Sequence, residues 1–148
     1  MDSIFSKISL VLLRVSLGWL MFYAGITKVL DPEWSAAFYL KGAKTFGGFY
    51  AWLLGSSMLP AINFINAWGL TLLGLSLIVG LGVRLSSVLG AVLMMLYYFP
   101  ILSFPYVGEH SYLVDDHIIY ALVLIFFAAA RVGRTWGLDS IHKIKWFG

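Results

Sequence analysis

Two kinds of residue are missing or scarce in this 148-residue sequence, and each absence excludes some chemistry. Cysteine does not occur at all, so the chain itself supplies no disulfide, no thiol nucleophile and no thiolate ligand for a metal. Charged residues make up only 11% of the chain, whereas a soluble domain carries about 25%. The net charge of +3 comes from scattered basic residues, so we expect no nucleic-acid partner.

Short motifs for metals and phosphates are missing as well. The sequence has no glycine-rich phosphate loop, no nucleophile elbow and no zinc motif. Of its three histidines, only His117 adjoins an apolar run, whereas a bis-histidine haem needs two histidines that face each other within a bundle. We therefore predict neither a metal site nor a haem.

Apolar residues, in contrast, form 61% of the chain and fall into four long runs. A hydrocarbon core about 30 Å thick needs about 20 residues of apolar helix. The fourth run approaches this length only if Asp115 and Asp116 lie at one membrane face and Arg131 at the other. We predict an all-α membrane protein with a single integral membrane domain, residues 1–148. Its four-transmembrane-helix bundle would use helices at approximately 8–30, 63–83, 85–102 and 116–131.

The segment between the first two membrane helices is too long for a bare loop. Trp34 and Phe38 share one helical face there, and Phe49, Trp52 and Leu53 share another. Aromatic residues favour the headgroup region, so we predict one or two short interfacial helices. These helices either cap the outer end of the bundle or serve only as a membrane anchor.

Small residues recur within the membrane helices, with Gly18 and Gly25 in the first and Gly69 and Gly74 in the second. Lipid provides no hydrophobic driving force between helices, so association depends on close packing, which small residues permit. We interpret these glycines as packing positions.

Basic residues predict the orientation. With four crossings, one side carries six of them, namely Lys7, Arg84, Arg131, Arg134, Lys143 and Lys145. The other side carries three, namely Lys28, Lys41 and Lys44. The positive-inside rule then predicts a multi-pass protein of the cell membrane with both termini in the cytoplasm. The tail from Trp136 to Trp146 is predicted to be a short anchor on that inner surface.

Arg14 is the strongest polar signal because it lies within the first apolar run. At 1.5 Å per residue it would lie about 9–15 Å deep, where an unpaired arginine costs at least about 2.5 kcal/mol. One interpretation is a structural pair between Arg14 and Asp139, or simple snorkelling. The other gives Arg14 a direct catalytic role with an anion or a quinone headgroup.

A second polar cluster precedes the fourth helix. Asp115 or Asp116 is suited to capping that helix, which needs no further function. Alternatively, Asp116 and His117 form a catalytic proton path, since a carboxylate beside histidine favours its protonated form. Tyr120 lies about one turn further on and would help to position a quinone.

Three lysines are candidates for binding a substrate anion at the outer surface: Lys28, Lys41 and Lys44. Lys28 ends the first helix, where a lysine also simply complements the helix dipole. The aromatic residues that end the third helix, Tyr97 to Phe99, are typical of a membrane interface, but they would also suit the flat ring of a quinone.

The sequence resembles the DoxX/DoxD family of small four-helix membrane proteins. The resemblance rests on Arg14-Val-Ser-Leu-Gly18 with Gly25-Ile-Thr-Lys-Val-Leu-Asp-Pro32, on the glycine-rich second helix ending at Arg84, and on the closing segment from Arg131 to Asp139. The polar residues that match the family by position are Arg14, Lys28, Asp31 and Asp139.

The resemblance implies quinone-linked redox chemistry. DoxD-type members are associated with thiosulfate:quinone oxidoreductase, in which thiosulfate is oxidised to tetrathionate and quinone is the electron-accepting substrate. It also implies membrane lipid and a second, DoxA-like subunit as partners. The alternative is a non-catalytic structural or assembly subunit of a respiratory membrane complex, because the chain carries no recognisable redox centre of its own.

Overall fold

The computed structural model describes residues 3–141, which are mostly helical. Six α-helices occur, namely α1 Ile4–Leu30, α2 Ala37–Lys41, α3 Gly47–Leu53, α4 Leu59–Val79, α5 Val83–Ile101 and α6 Asp116–Ala130. A small antiparallel hairpin precedes α6, with strands β1 Tyr106–Gly108 and β2 Ser111–Tyr112. Two 3-10 turns follow it, Val132–Arg134 and Leu138–Ser140.

Three helices, α1, α4 and α5, are long and apolar enough to cross a membrane. The prediction of a mostly helical protein with long apolar helices is thus confirmed. Helix α6 has 15 residues, or about 22 Å of helix, and falls short of that length. Asp115 caps its first turn, and Arg131, with φ 49°, ends it in the left-handed conformation. A fourth crossing therefore stays a prediction.

The α1–α4 pair is the most extensive contact of the fold, and small residues make it possible. A Cβ atom added at Gly74 would lie 2.2 Å from the backbone nitrogen of Phe22, and one at Gly25 would lie 2.3 Å from that of Thr71. Phe22 of α1 lies beside Gly74 of α4, whereas Gly25, later in α1, lies beside Thr71, earlier in α4. The two helices therefore run antiparallel. The packing interpretation holds for Gly18, Gly25 and Gly74, but not for Gly69, which has open space beside it.

Helix α5 packs chiefly against α6, and one apolar core joins this pair to α1 and α4. Met21, Leu77, Leu124 and Phe127 are almost completely buried in it. Apolar side chains that point away from this core are widely exposed, as expected of a surface that faces lipid.

The turn between α4 and α5 lies earlier in the chain than predicted, so the end of α4 and the start of α5 both differ from the predicted boundaries. Gly80 (φ 73°) and Gly82 (φ 65°) adopt left-handed conformations, so α4 ends at Val79 and not near residue 83. Helix α5 begins at Val83 and ends at Ile101, close to the predicted range. Glycine tolerates this backbone conformation because it has no Cβ.

Helices α2 and α3 occupy the segment predicted to hold short helices, and two tyrosines fasten them to α5. The Tyr39 hydroxyl donates to the carbonyl of Tyr97, and the Tyr50 hydroxyl donates to that of Leu96 at 2.9 Å. Pro100 lacks the N–H that would otherwise bond to the Leu96 carbonyl, so Tyr50 satisfies an acceptor that proline leaves open. Their interfacial position stays a prediction.

Two details of this end differ from the sequence expectations. Trp34 precedes α2 in a non-helical segment and does not share a helical face with Phe38. The β-hairpin was not predicted, because its strands are only three and two residues long. Part of the predicted inner-surface anchor, from residue 142 onward, lies outside the described residues.

Candidate functional site

Lys28 lies in the last turn of α1, where its side chain turns into the bundle. Its Nζ donates a hydrogen bond of 2.8 Å to Oδ1 of Asn66, a buried residue of α4. Hydrogen bonds that involve a charged group are the stronger kind, and burial strengthens them further. The lysine is therefore held in place by a side chain and does not extend freely into solvent.

Two aromatic rings flank the ammonium group. The Nζ of Lys28 lies 4.8 Å from the centroid of Trp34 and 5.5 Å from that of Tyr97. Both distances fall within the range in which a cation is attracted to the face of an aromatic ring. The two rings give the site flat apolar walls around a single positive charge.

His117, in the first turn of α6, lies near Lys28 and the two aromatic rings. Its Nδ1 lies 2.6 Å from Oδ2 of Asp115, while Oδ1 of Asp115 accepts from the backbone N–H of Ile118 at 3.2 Å. Asp115 thus caps α6 and orients the imidazole at the same time. The histidine ring also packs against Tyr97 in a T-shaped arrangement, with centroids 5.9 Å apart.

These side chains line one cavity of 430 Å³, which we call the Lys28 pocket. It is lined by Lys28, Trp34, Ser35, Ala36, Phe38, Tyr39, Asn66, Tyr97, Ile101 and His117. Burial raises the pKa of the Tyr39 phenol to about 12, with smaller contributions from Tyr50 and Asp115. Tyr39 therefore stays neutral at physiological pH and keeps its proton for the carbonyl of Tyr97.

The structure brings only some of the predicted site residues together. Lys28 and His117 line the pocket, whereas Asp116 is exposed in the first turn of α6 and Tyr120 packs against the main core. The predicted carboxylate partner of His117 is therefore corrected from Asp116 to Asp115. The residue two before histidine places its side chain back over the helix N-terminus, as a cap does.

The predicted lysine cluster is not assembled either. Lys41 and Lys44 are exposed, and Lys44 borders a smaller cavity of 270 Å³ beside Pro100. Neither lines the Lys28 pocket. Lys28 therefore differs from the other two in being half-buried and held by Asn66.

Arg14 lies about 21 Å along α1 from Lys28, at the opposite end of the bundle. It is 1% exposed, and its Nη1 donates to the carbonyls of Val132 and Thr135, each at 3.1 Å. Its Nε has no hydrogen-bond partner among the described residues. The hydrogen bonds to these two carbonyls offset part of the free energy that it costs to bury the guanidinium group within an apolar bundle.

Asp139 lies in the same region but serves a different segment. Its carboxylate accepts from the backbone N–H groups of Gly82 and Val83, at 2.7 and 3.1 Å, and so caps the start of α5. Within residues 3–141 the one contact between a basic and an acidic side chain is that of His117 with Asp115, so the predicted direct pair of Arg14 and Asp139 is not formed. They meet through the backbone of residues 132–139, and we call this assembly the Arg14 clasp.

Glycines make the Arg14 clasp possible. A Cβ at Gly137 would lie 2.8 Å from Nη1 of Arg14, and one at Gly133 would lie 2.1 Å from Oδ2 of Asp139. Larger residues at either position would displace the charged groups. The clasp is thus a closely packed structural joint, remote from the Lys28 pocket.

Sequence reasoning missed Asn66 and did not place Trp34 in the site. It named Asp115 in the cluster before α6 but chose Asp116 for the proton path with His117. Asn66 is an amide in an apolar run, and that rarity is a signal which a search limited to charged residues overlooks. Among the described residues, no three His, Cys, Asp or Glu side chains converge as a metal site requires.

Comparison with known proteins decides the family. Residues 9–101, more than half of the chain, match the sequence model of the DoxX family. The chain belongs to the DoxX family. This DoxX protein has its Arg14, Lys28 and Asn66 within the matched region, whereas Asp115, His117 and Asp139 lie beyond it. Searches for similar curated proteins and solved structures found no match.

Proposed function

We propose that this DoxX protein is an integral membrane subunit of a quinone-linked oxidoreductase and that a quinone headgroup binds in the Lys28 pocket. The observation that carries the proposal is the meeting of Lys28 and the Asp115–His117 pair in one aromatic-walled cavity. The pocket adjoins the ends of three long apolar helices, α1, α4 and α5. A quinone dissolved in the bilayer would reach such a site without crossing water.

The chemistry of the pocket suits a quinone ring. Its carbonyl oxygens need hydrogen-bond donors, and the Lys28 ammonium has two N–H groups beyond the one that Asn66 accepts. Trp34 and Tyr97 offer flat faces for the ring. Because Asp115 contacts Nδ1, Nε2 is the ring nitrogen of His117 that would give a proton to a quinone oxygen and be reprotonated from the outer surface.

The proposed electron donor is thiosulfate or another anionic sulfur compound. Two thiosulfates that join to form tetrathionate release two electrons and no protons, whereas reduction of a quinone to a quinol consumes two of each. The protons must therefore come from elsewhere, which is the role proposed for His117. A second, DoxA-like subunit would carry the sulfur chemistry, with the exposed Lys41 and Lys44 attracting the anion.

The same proposal includes the topology. Helix α6 lies beside α5 and would complete a fourth crossing together with the residues that flank its caps. The Lys28 pocket would then face outward, and the Arg14 clasp and both termini would face the cytoplasm, as the distribution of basic residues indicates.

A pair of neighbouring variants tests the enzyme proposal. We expect Asp115→Asn to lower thiosulfate-dependent reduction of a short-chain quinone by about 100-fold, a typical contribution of general acid catalysis. Asparagine also caps helices well, so α6 should remain intact. The assay uses native membranes or mild-detergent extracts that retain partner subunits, with the rate normalised to the amount of folded protein.

Asp116→Asn is the matched control, since it makes the same chemical change one residue away from the pair and should alter the rate by less than about twofold. Equal losses in the two variants would contradict the assignment. So would full activity of Asp115→Asn.

A structural or assembly subunit is the second candidate. It is favoured by the absence of cysteine and of a converging metal-ligand group in the described residues, because the chain then needs a partner to carry electrons. Equilibrium binding of a short-chain quinone to the isolated chain separates the two candidates. Saturable binding weakened by Lys28→Met, but not by Lys41→Met, supports the quinone site, and no binding at all supports the structural subunit.

A further inference from the structure

An open apolar groove of 660 Å³ lies between α5 and α6 and shares no lining residue with the Lys28 pocket. Alanines on both helices, including Ala91, Ala121 and Ala128, leave this space between the larger side chains. The groove extends from Arg84 to Phe99, or about 22 Å of helix, which exceeds half of a hydrocarbon core about 30 Å thick. Its length therefore matches an acyl chain that starts at one membrane surface.

One end of the groove carries a positive charge. Arg84 is the only polar residue among those that line it, and it lies in the first turn of α5. Arg131 and Arg134 are exposed at the same end of the bundle, just beyond the end of α6. The nearby carboxylate of Asp139 is buried and already accepts from Gly82 and Val83, so it does not offset these charges at the surface.

We propose that this groove is a binding site for an anionic phospholipid, with one acyl chain between α5 and α6 and the phosphate at Arg84. The charge pattern favours this occupant over a second copy of the chain. A symmetric copy with the same orientation in the membrane would bring its own Arg84, Arg131 and Arg134 to the same end, where like charges repel. A phosphate bound at Arg84 reduces the positive charge of that end, and its attraction is strongest for the arginine that it contacts directly.

The test measures which lipids stay with the protein. The full chain is placed in nanodiscs of equimolar phosphatidylglycerol and phosphatidylcholine, released into mild detergent and examined by native mass spectrometry. We expect one retained phosphatidylglycerol in preference to phosphatidylcholine. Arg84→Gln should lower that preference about fivefold, as the loss of about 1 kcal/mol implies. Arg134→Gln, which does not line the groove, should leave most of the preference in place.

A second pair of variants tests the groove itself. Leu122 and Leu72 are each 58% exposed, but only Leu122 lines the groove. Leu122→Trp should fill the space and abolish retention of the lipid, whereas Leu72→Trp should not. Because both changes are on exposed positions, both variants should fold.

Four results would overturn the proposal. These are no preference for the anionic lipid, equal effects of Arg84→Gln and Arg134→Gln, retention of a quinone in the groove in place of a phospholipid, and a dimer that Leu122→Trp dissociates. The last would identify a second copy as the occupant.

Discussion

At the scale of one residue, Arg14 shows how hydrogen bonds to backbone carbonyls stabilise a buried charge within an apolar bundle. We expect Arg14→Gln to destabilise the protein by about 3 kcal/mol, since each hydrogen bond of a charged donor contributes about 1.5–3 kcal/mol. The apparent Tm in mild detergent should fall by about 5–10 °C. Quinone affinity should not change at temperatures where the variant is folded, because Arg14 is remote from the Lys28 pocket.

Arg134→Gln is the control for Arg14→Gln, since it removes an exposed arginine from the same end of the bundle. It should shift the Tm very little. A loss of quinone affinity in a folded Arg14→Gln variant would give Arg14 a direct role in the site and contradict its structural assignment.

The sequence indicates most about single residues where the physical cost of burying them is high. Arg14 and Lys28 are exceptional in apolar helices, so the sequence alone indicates that each needs a partner. The partners themselves depend on tertiary structure. Asn66 is 38 positions from Lys28, and the acceptors of Arg14 are backbone carbonyls, which carry no side-chain signature. Asp115 and Asp116 are chemically identical, and only the local geometry of the cap selects the first.

At the scale of the element, the contact between α1 and α4 depends on glycine. We expect Gly74→Ala to separate the two helices, because the new Cβ would lie 2.2 Å from the backbone nitrogen of Phe22 and backbone cannot move aside cheaply. The cost should be about 2–3 kcal/mol, measured as a lower Tm in mild detergent.

Gly69→Ala is the matched control on the same helix. Apart from the adjacent backbone of α4, no atom of the described residues lies within 4 Å of a Cβ added there. The change should therefore be neutral or should stabilise α4 by up to about 1 kcal/mol through helix propensity. Similar effects of the two alanines would show that helix propensity, and not close approach, explains the glycines.

Long helices were predictable as elements because their apolar runs are continuous. The ends of these helices were less predictable. Gly80 and Gly82 continue the glycine-rich run in the sequence, but in the fold they adopt left-handed conformations and form the turn. The hairpin of β1 and β2 has too few residues to produce a period-two pattern. Trp34 was assigned to a helical face by spacing, but it lies in a non-helical segment, with its ring 4.8 Å from the Nζ of Lys28 in the pocket.

At the scale of the whole molecule, the absence of cysteine makes the topology directly measurable. We introduce one cysteine at a time, as Lys41→Cys, Glu109→Cys or Arg134→Cys, at exposed positions of the two ends. In intact cells, a membrane-impermeant maleimide should label residues 41 and 109 without permeabilisation. Residue 134 should be labelled only after permeabilisation, because four crossings return the chain to the cytoplasm.

The cysteine-free parent chain is the control for labelling of the variants. Labelling of residue 134 in intact cells, together with residues 41 and 109, would mean that α6 does not cross the membrane. Labelling of residue 134 alone would mean that the orientation is reversed.

The Arg14 clasp also has a consequence for the order of synthesis. The carbonyl of Val132 lies 118 positions after Arg14, so a ribosome completes almost the whole described chain before Arg14 meets its acceptors. During that interval the arginine of α1 lacks these acceptors, at a cost of at least about 2.5 kcal/mol within the membrane. The last turns of the fold therefore complete the first helix, and a nascent chain interrupted before residue 132 leaves Arg14 without its hydrogen-bond partners.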